Sequence, residues 1–383
     1  MKNMQDVFER PVNRRSFIKN GAMAAGAATV GAGLLSHGLA AFGEEKSGSL
    51  TSGDIAILQF LAAAELLESD LWQQYAELGG IGTNPPIEVD PNQSLNNYQI
   101  ALSNLDGDAP QYIASNTLDE KSHAAFLNAY LESQGADSVN LDKFRTLQGS
   151  KASPAANVGR LTNLMQLNVD TSWYVRYRST TNPDFGASFP QAITLNGVTA
   201  IPRNNADFDG PPFGNATSIP GNVHIQAIAN VAAFHFGFIE QGGSSLYSAL
   251  SQKVSSLEVL KITLGIGGDE VAHFLEWVDF AGNGVQAPVA PFSDPISGLT
   301  FPNFFNPLNP LIQPSLIFPV PAHFISPDLP LCAAIRPSDD QFAGALAAAN
   351  SLTADGLFKG QSPAFFKLLN QLATAADAAT RQV

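Results

Sequence analysis

The stretch that decides the fold is LGIGGDEVAHFLEW, residues 264–277. It carries Glu270 and His273 three positions apart, and its apolar residues recur with the period of an α-helix. Helical geometry places both side chains on one face, about one turn apart. Ile266 and Trp277 share that face, so we predict that it points into a core. A buried carboxylate needs a strong partner, and a metal ion is one of the few that suffice.

A second pair of the same kind lies in LDEKSHAAF, residues 118–126, which holds Glu120 and His123. Pro110 is a favourable first-turn residue, and the apolar pattern predicts a helix from there to about Glu132. The two pairs therefore lie on two separate predicted helices.

Two further predicted helices each supply one glutamate. Glu65 lies in a helix predicted over residues 54–78, with Asp54 as its N-cap and two glycines at its end. Glu240 is the only acidic residue of a helix predicted over residues 223–250. A serine, a leucine and an aromatic residue follow both glutamates at the same offsets, which indicates a short internal repeat. Two helix pairs related by a pseudo-twofold axis would bring both glutamates to one central point.

One glutamate from each of two helices, with Glu-x-x-His from each of the other two, is the ligand set of dinuclear iron or manganese centres in four-helix bundles. Four carboxylates would also balance the charge of two divalent ions. The alternative is that each pair forms a surface salt bridge, which the apolar helix faces disfavour. We therefore predict a site for two Fe or Mn ions, and these residue types suit both metals. The predicted ligands are Glu65, Glu120, His123, Glu240, Glu270 and His273.

On these residues the chain resembles the ferritin-like superfamily, and within it the ferritin-like-domain proteins that include the desiccation-related proteins. Residues 239–247 and 265–273 are similar to the third and fourth helices of that group. The resemblance extends over residues 54–135 and 223–282. It implies an all-α fold, with a ferritin-like four-helix bundle over residues 54–282 and the six predicted ligands at its centre.

Two segments depart from that pattern. Residues 136–222 are predicted to form an insertion between the second and third bundle helices. Within it we expect one helix, Val158 to Tyr177, and a β-hairpin turning at Asn196-Gly197, which is a strong two-residue turn signal. Residues 283–383 are predicted to form a proline-rich strap over apolar surface, followed by two short helices.

The N-terminal segment, residues 1–41, is typical of an export signal. Its NRRSFIK motif, residues 13–19, resembles a twin-arginine motif and precedes an uncharged, weakly hydrophobic run and a small-residue cleavage region. A membrane anchor is the alternative, but the run is short and rich in glycine. We expect the twin-arginine machinery to export the chain to the periplasm or the exterior, without stable membrane insertion after cleavage. Residues 42–53 are expected to form a linker.

Composition excludes several other classes of protein. The 383 residues include 20 Lys and Arg against 34 Asp and Glu, a net charge of −14, which disfavours nucleic acid and anionic membranes as partners. A single cysteine, Cys332, excludes an intramolecular disulfide framework and a cysteine-rich metal site. The apolar residues around Cys332 predict a buried thiol.

Five residues near the predicted ligands have weaker assignments. Asp119 and Asp269 each precede a Glu-x-x-His pair, and we interpret them either as partners of a ligand histidine on a neighbouring helix or as surface acids. Trp72 and Tyr247 are predicted to pack in the core, with a hydrogen-bonding or redox role as the alternative. Glu68 is predicted to lie on the solvated surface.

The predicted function is that of an exported protein whose two metal ions react with dioxygen or hydrogen peroxide in stress protection. Oxidase, peroxidase and catalase-like activities are the candidate reactions. The alternative is a non-enzymatic desiccation or stress-protection protein with a structural metal site. Iron storage comes third, because the insertion and the strap disfavour a closed cage of small subunits. Association into a homo-oligomer is left open.

Overall fold

The computed structural model describes residues 50–82, 94–176, 189–208, 223–305 and 344–382, with short pieces between 319 and 334. This part of the chain is predominantly helical, as predicted. Two small antiparallel sheets pair β1 (Leu167–Val169) with β2 (Leu195–Val198) and β3 (Phe292–Ser293) with β4 (Thr300–Phe301). The helices are α1 (Ser52–Gly79), α2 (Asn97–Ser103), α3 (Ala109–Ser133), α4 (Ser172–Arg176), α5 (Val223–Ser251), α6 (Leu257–Asn283), α7 (Ala345–Asp355) and α8 (Pro363–Asp377).

The four long helices, α1, α3, α5 and α6, pack as two pairs. α1 lies along α3, and α5 lies along α6. α5 is buried over almost its whole length, and its only acidic residue is Glu240. A helix that is apolar on all sides belongs in an interior, and α5 is accordingly covered by neighbours that include α6, α2 and α7. α8 packs against both α1 and α7.

α1 begins at a capping box formed by Thr51 and Asp54. Thr51 Oγ1 accepts a hydrogen bond from the Asp54 backbone N–H at 3.0 Å, and the Asp54 carboxylate accepts one from the Thr51 N–H at 3.3 Å. The prediction of Asp54 as the N-cap is therefore wrong, because Thr51 caps the helix from three positions earlier. Pro110 lies in the first turn of α3, as predicted, and Ser256 caps α6.

The helix predicted over Val158–Tyr177 is wrong for most of its length, since α4 is its only helical part among the described residues. The backbone N–H groups of Leu161 and Thr162 both donate to Asp70 Oδ2 on α1, at 3.0 Å. Donors satisfied by a distant side chain do not form helical hydrogen bonds. The leucines of this segment are buried nevertheless. The apolar pattern thus identified core residues without identifying their backbone conformation.

The hairpin predicted at Asn196-Gly197 is also wrong, because both residues lie inside β2, which pairs with β1. Gly197 has a φ of +64° and donates its N–H to Asn168 Oδ1 at 2.9 Å. The pairing register shifts at this point, which indicates a β-bulge. An Asn-Gly sequence indicates positive φ, and a bulge uses that conformation as readily as a tight turn does.

Both short C-terminal helices are confirmed, and Ser362 caps the second by accepting from the backbone N–H of Phe365. The first part of the strap, residues 284–305, packs apolar side chains such as Phe301 against the core, as predicted. Farther along, Cys332 is exposed, so the prediction of a buried thiol is wrong. Its neighbour Leu331 is 62% exposed as well, and local apolar composition therefore does not imply burial there.

Residues Ser49–Val383 form one compact unit. The predicted signal peptide and most of the predicted linker lie outside the described residues. Among the helices that are described, none combines the length and the hydropathy that crossing a lipid bilayer requires.

Candidate metal centre

The six predicted ligands lie together between the four long helices. The four glutamates are all 0% exposed, and the two histidines are 8% and 2% exposed. So many acidic groups shielded from water require compensating positive charge or bound protons. The side chains come from all four helices: Glu65 from α1, Glu120 and His123 from α3, Glu240 from α5, and Glu270 and His273 from α6.

The donor atoms form two overlapping groups of four, and within each group they all lie within 4.8 Å of one another. Glu120 and Glu270 belong to both groups, whereas each remaining residue belongs to one. Two neighbouring metal ions bridged by carboxylates require this kind of sharing. The groups are Glu65, Glu120, His123 and Glu270, and Glu120, Glu240, Glu270 and His273.

His123 presents one ring nitrogen to the cluster and the other to an aspartate of α6. Its Nδ1 lies 3.4 Å from both Glu65 Oε2 and Glu120 Oε2. Its Nε2 lies 3.2 Å from Asp269 Oδ2. In the neutral imidazole, a carboxylate at Nε2 favours the tautomer that leaves Nδ1 available to a metal ion.

His273 repeats this arrangement from the opposite side. Its Nδ1 lies 3.1 Å from Glu120 Oε1 and 3.4 Å from Glu240 Oε2. Its Nε2 lies 3.4 Å from Asp119 Oδ2. Asp119 and Asp269 are therefore partners of a histidine on the neighbouring helix, which was one of the two interpretations drawn from the sequence.

Two further side chains hold the glutamates in place. Asn116 Nδ2 donates to Glu120 Oε1 at 2.8 Å and to Glu240 Oε1 at 3.3 Å. Tyr247 donates its hydroxyl hydrogen to Glu65 Oε1, so its hydrogen-bonding role is confirmed. Asn116 was not among the predicted site residues, although its position one helical turn before Glu120 places it on the same face as that ligand.

Burial raises the pKa of two of the cluster's glutamates. It raises the pKa of Glu65 to about 7, against the opposing effect of the neighbouring His123 imidazole. It raises the pKa of Glu270 well above its usual range, and the charge of Glu120 adds to the rise. Burial alone would lower the pKa of His123, but hydrogen bonds with Glu120 and Glu65 raise it to about 10. Without metal ions, the cluster therefore holds protons that metal ions would displace.

Several donor atoms of the cluster have no hydrogen-bond partner among the described residues. They are Glu65 Oε2, Glu240 Oε2, both carboxylate oxygens of Glu270, and His273 Nδ1. The histidine–carboxylate contacts of 3.1–3.6 Å at these atoms are ion-pair contacts and do not count as hydrogen bonds. Each unpaired buried polar atom costs roughly 1–3 kcal/mol. Because these atoms belong to one cluster and are carboxylate and imidazole donors, they fit iron or manganese ions.

Gly243 on α5 makes room for one of the shared glutamates. A Cβ atom at this position would lie 2.1 Å from Glu270 Oε2. No side chain larger than hydrogen fits there unless Glu270 moves. By contrast, Gly265 and Gly268 of α6 have open space around them.

An apolar cavity lies beside the cluster, between α1, α5 and α7. Its polar lining residues are Glu65, Glu68, Tyr247 and Ser351, and the rest of its lining is apolar. Glu68 is partly buried there, so the prediction of a solvated position is wrong. Burial and the nearby charge of Glu120 raise the pKa of Glu68. The cavity provides space for a small uncharged molecule next to Glu65.

His224 takes no part in the cluster. Its Nδ1 lies 2.7 Å from Asp294 Oδ2, and its Nε2 lies 3.4 Å from Asp207 Oδ1. Asp207 also binds the guanidinium of Arg203. These contacts link the start of α5 to the segments that hold Asp207 and Asp294, which is a structural role.

The chain was compared with protein-family models, with curated proteins and with solved structures. None of the three comparisons finds a match.

Proposed function

We propose that this chain is a ferritin-like four-helix bundle that binds two iron or manganese ions through its six clustered ligands. The two overlapping groups of donors that share Glu120 and Glu270 are the observation that carries this proposal. Glu120 and Glu270 would serve as ligands of both ions.

The remaining ligands divide between the two ions. Glu65 and His123 would hold one ion, and Glu240 and His273 would hold the other. The aspartates at the histidine Nε2 atoms orient both imidazoles and preserve the tautomer that leaves Nδ1 available. When bound, two such ions supply the electrons that reduce dioxygen or hydrogen peroxide.

The chain's own side chains prepare the site for that reaction. Tyr247 and Asn116 fix carboxylate positions by donating hydrogen bonds to Glu65, Glu120 and Glu240. The apolar cavity beside Glu65 admits a small molecule while limiting bulk water. We assign dioxygen or hydrogen peroxide as the molecule that enters there.

The test is elemental analysis of protein purified from its native host and of protein reconstituted with iron or manganese. We expect about two metal ions per chain, with oxygen consumption or peroxide turnover in the loaded protein. Replacing both Glu120 and Glu270 with Ala should abolish metal binding. A folded wild-type chain that binds neither metal would refute the proposal.

A non-enzymatic stress-protection role is the second candidate, and the complete burial of the four glutamates favours it. In that case the metal ions hold the four helices together without reacting. Chelation would then lower thermal stability strongly, while the loaded protein would neither consume oxygen nor turn over peroxide. Measuring both properties on the same sample separates the two functions.

The proposal includes export by the twin-arginine machinery, supported by the motif around Arg14 and Arg15. This route carries folded proteins, which suits a chain that acquires its metal ions before export. Replacing both arginines with lysine should leave the protein in the cytoplasm with an uncleaved N-terminus. Cell fractionation followed by mass spectrometry of the N-terminus measures this, and unchanged export of the double variant would contradict it.

A further inference from the structure

A second set of buried polar side chains lies outside the metal centre, where Tyr75 of α1, His235 of α5 and Asp355 of α7 meet. The Tyr75 hydroxyl lies 2.7 Å from His235 Nδ1, and His235 Nε2 lies 3.2 Å from Asp355 Oδ2. Tyr75 and His235 are 0% exposed, and Asp355 is 2% exposed. Three ionisable groups in an apolar core are unfavourable unless their network is well satisfied. Since none of them belongs to the metal centre, they require a separate explanation.

Aromatic rings connect this triad with the metal centre. The ring centroids of Tyr75 and Trp72 lie 5.7 Å apart, and the rings of Trp72 and Trp277 stack with centroids 5.3 Å apart. Trp277 Nε1 donates to Asn116 Oδ1 at 2.9 Å. Asn116 in turn donates to the ligand Glu120. The path from a metal ligand to Tyr75 therefore consists of hydrogen bonds and touching rings.

Trp72 has a further property that packing does not explain. Its ring is fully buried, and its Nε1 has no hydrogen-bond partner among the described residues. A buried tryptophan usually finds a partner for this group. An indole is, however, much easier to oxidise than a phenyl ring. A tryptophan at this position can therefore pass on an electron that a phenylalanine would not.

We infer that Tyr75 is a redox-active residue that gives one electron to the metal centre through Trp72 and Trp277 while its proton passes to His235. The inference rests on the proposed function, because the oxidant is the metal pair after it has reacted with peroxide or dioxygen. Tyr75 loses one electron and becomes a neutral phenoxyl radical, and the oxidised metal pair gains that electron. The O–H bond of Tyr75 breaks, and an N–H bond forms at His235 Nδ1.

His235, supported by Asp355, can accept the hydroxyl proton of Tyr75 across a single hydrogen bond. Burial raises the pKa of the Tyr75 hydroxyl well above its usual range, so phenolate is not available as the species that is oxidised. The proton must therefore leave together with the electron, and His235 Nδ1 is within hydrogen-bond distance to accept it. Asp355 lies beside the opposite ring nitrogen, where it favours the Nε2–H tautomer and stabilises the imidazolium that forms.

The test uses electron paramagnetic resonance of iron-loaded protein frozen shortly after mixing with hydrogen peroxide. We expect a neutral tyrosyl radical in the wild type and in Tyr98→Phe, and its complete loss in Tyr75→Phe. Tyr98 is a matched control, since it is also 0% exposed but donates to the backbone oxygen of Ala200. Trp72→Phe keeps the triad and should slow radical formation at least tenfold.

In iron-loaded protein, two results would overturn the inference: an equal radical signal in Tyr75→Phe, or no tyrosyl radical in wild-type protein that binds iron and consumes peroxide. Protein that binds no metal would refute the proposed function instead.

The relay is then tested without metal by pulse radiolysis, in which azide radicals remove one electron from aromatic residues. The ring centroid of the half-buried Tyr112 lies 5.0 Å from that of Trp277. Tyr112 is therefore a position at which the azide radical can take an electron from the relay. A tyrosyl radical that depends on Tyr75 supports the relay, and its absence overturns it.

Discussion

Replacing Glu65 with Gln and replacing Glu270 with Gln should have unequal effects on metal content. Glu65 belongs to one group of donors, whereas Glu270 belongs to both. Glu65→Gln should therefore lose about one of two metal ions, and Glu270→Gln should lose both. Glu240→Gln should behave like Glu65→Gln, because its position in the second group is equivalent. Glu68→Gln is the matched control, since this neighbouring acid belongs to neither group and should retain both ions.

The same substitution should change stability with opposite signs in the loaded and metal-free protein. Burial raises the pKa of Glu65 from 4.5 to about 7. Each pKa unit corresponds to about 1.4 kcal/mol, so an ionised Glu65 destabilises the metal-free fold by about 3 kcal/mol. Glu65→Gln removes that charge and should stabilise the metal-free protein near pH 8 by up to this amount. In the loaded protein it removes a ligand and should be destabilising.

The assays are elemental analysis after reconstitution and urea unfolding with and without a chelator. Equal metal loss in Glu65→Gln and Glu270→Gln would refute the assignment of bridging and terminal ligands. A Glu270→Gln variant that retains two ions would refute the metal centre itself. Circular dichroism of each metal-free variant confirms that a loss of metal does not arise from unfolding.

Three further predictions follow from the same geometry. Asp269→Asn should weaken metal binding by about 10–100-fold, because His123 loses the carboxylate at its Nε2. Competition with a chelator of known affinity measures this change, and an unchanged metal affinity would contradict the prediction. Gly243→Ala should abolish metal binding by displacing Glu270. Gly268 has open space around it, so Gly268→Ala should keep both ions and gain up to about 1 kcal/mol of stability. Similar metal content in the two variants would show that Gly243 is not required to make room for Glu270. Finally, the metal-free protein should become less stable as pH rises from about 4.5 to 10. The folded state binds more protons than the unfolded state at Glu65 between the pKa values 4.5 and about 7, and at His123 between 6.5 and about 10. Urea unfolding near pH 5, 7 and 9 tests this, and an unfolding free energy that rises over this range would be incompatible with the described cluster.

Some features of the centre could be predicted from local spacing because they depend on helical geometry alone. The Glu-x-x-His pairs at Glu120 and Glu270 lie on α3 and α6, as their spacing and surrounding apolar residues indicated. Asn116 was missed, since an asparagine one turn from a ligand is common on helices and carries little information by itself. Its role depends on Glu240 and Trp277, which lie more than a hundred positions away in the chain.

In the insertion, local residue spacing did not predict the backbone conformation. Residues 158–171 have the leucine spacing of a helix, yet Asp70 on α1 accepts hydrogen bonds from the backbone N–H groups of Leu161 and Thr162. Farther along the same segment, residues 167–169 form β1. Cys332 was predicted to be buried from its apolar neighbours, but those neighbours are themselves exposed. In the insertion, a contact with a distant residue outweighed the local preference.

The sequence by itself determined the long helices and the faces on which their acids and histidines lie, because helical periodicity is a local property of the chain. Only the tertiary structure decided which two glutamates are shared, which aspartate supports which histidine, and that Tyr75, His235 and Asp355 meet. Those relationships depend on how separate helices pack, and spacing within one helix carries no information about the helix opposite. The stretch around Glu270 and His273 therefore indicated a metal ligand pair, and the packing of α6 against the other three long helices made that pair part of a six-residue centre.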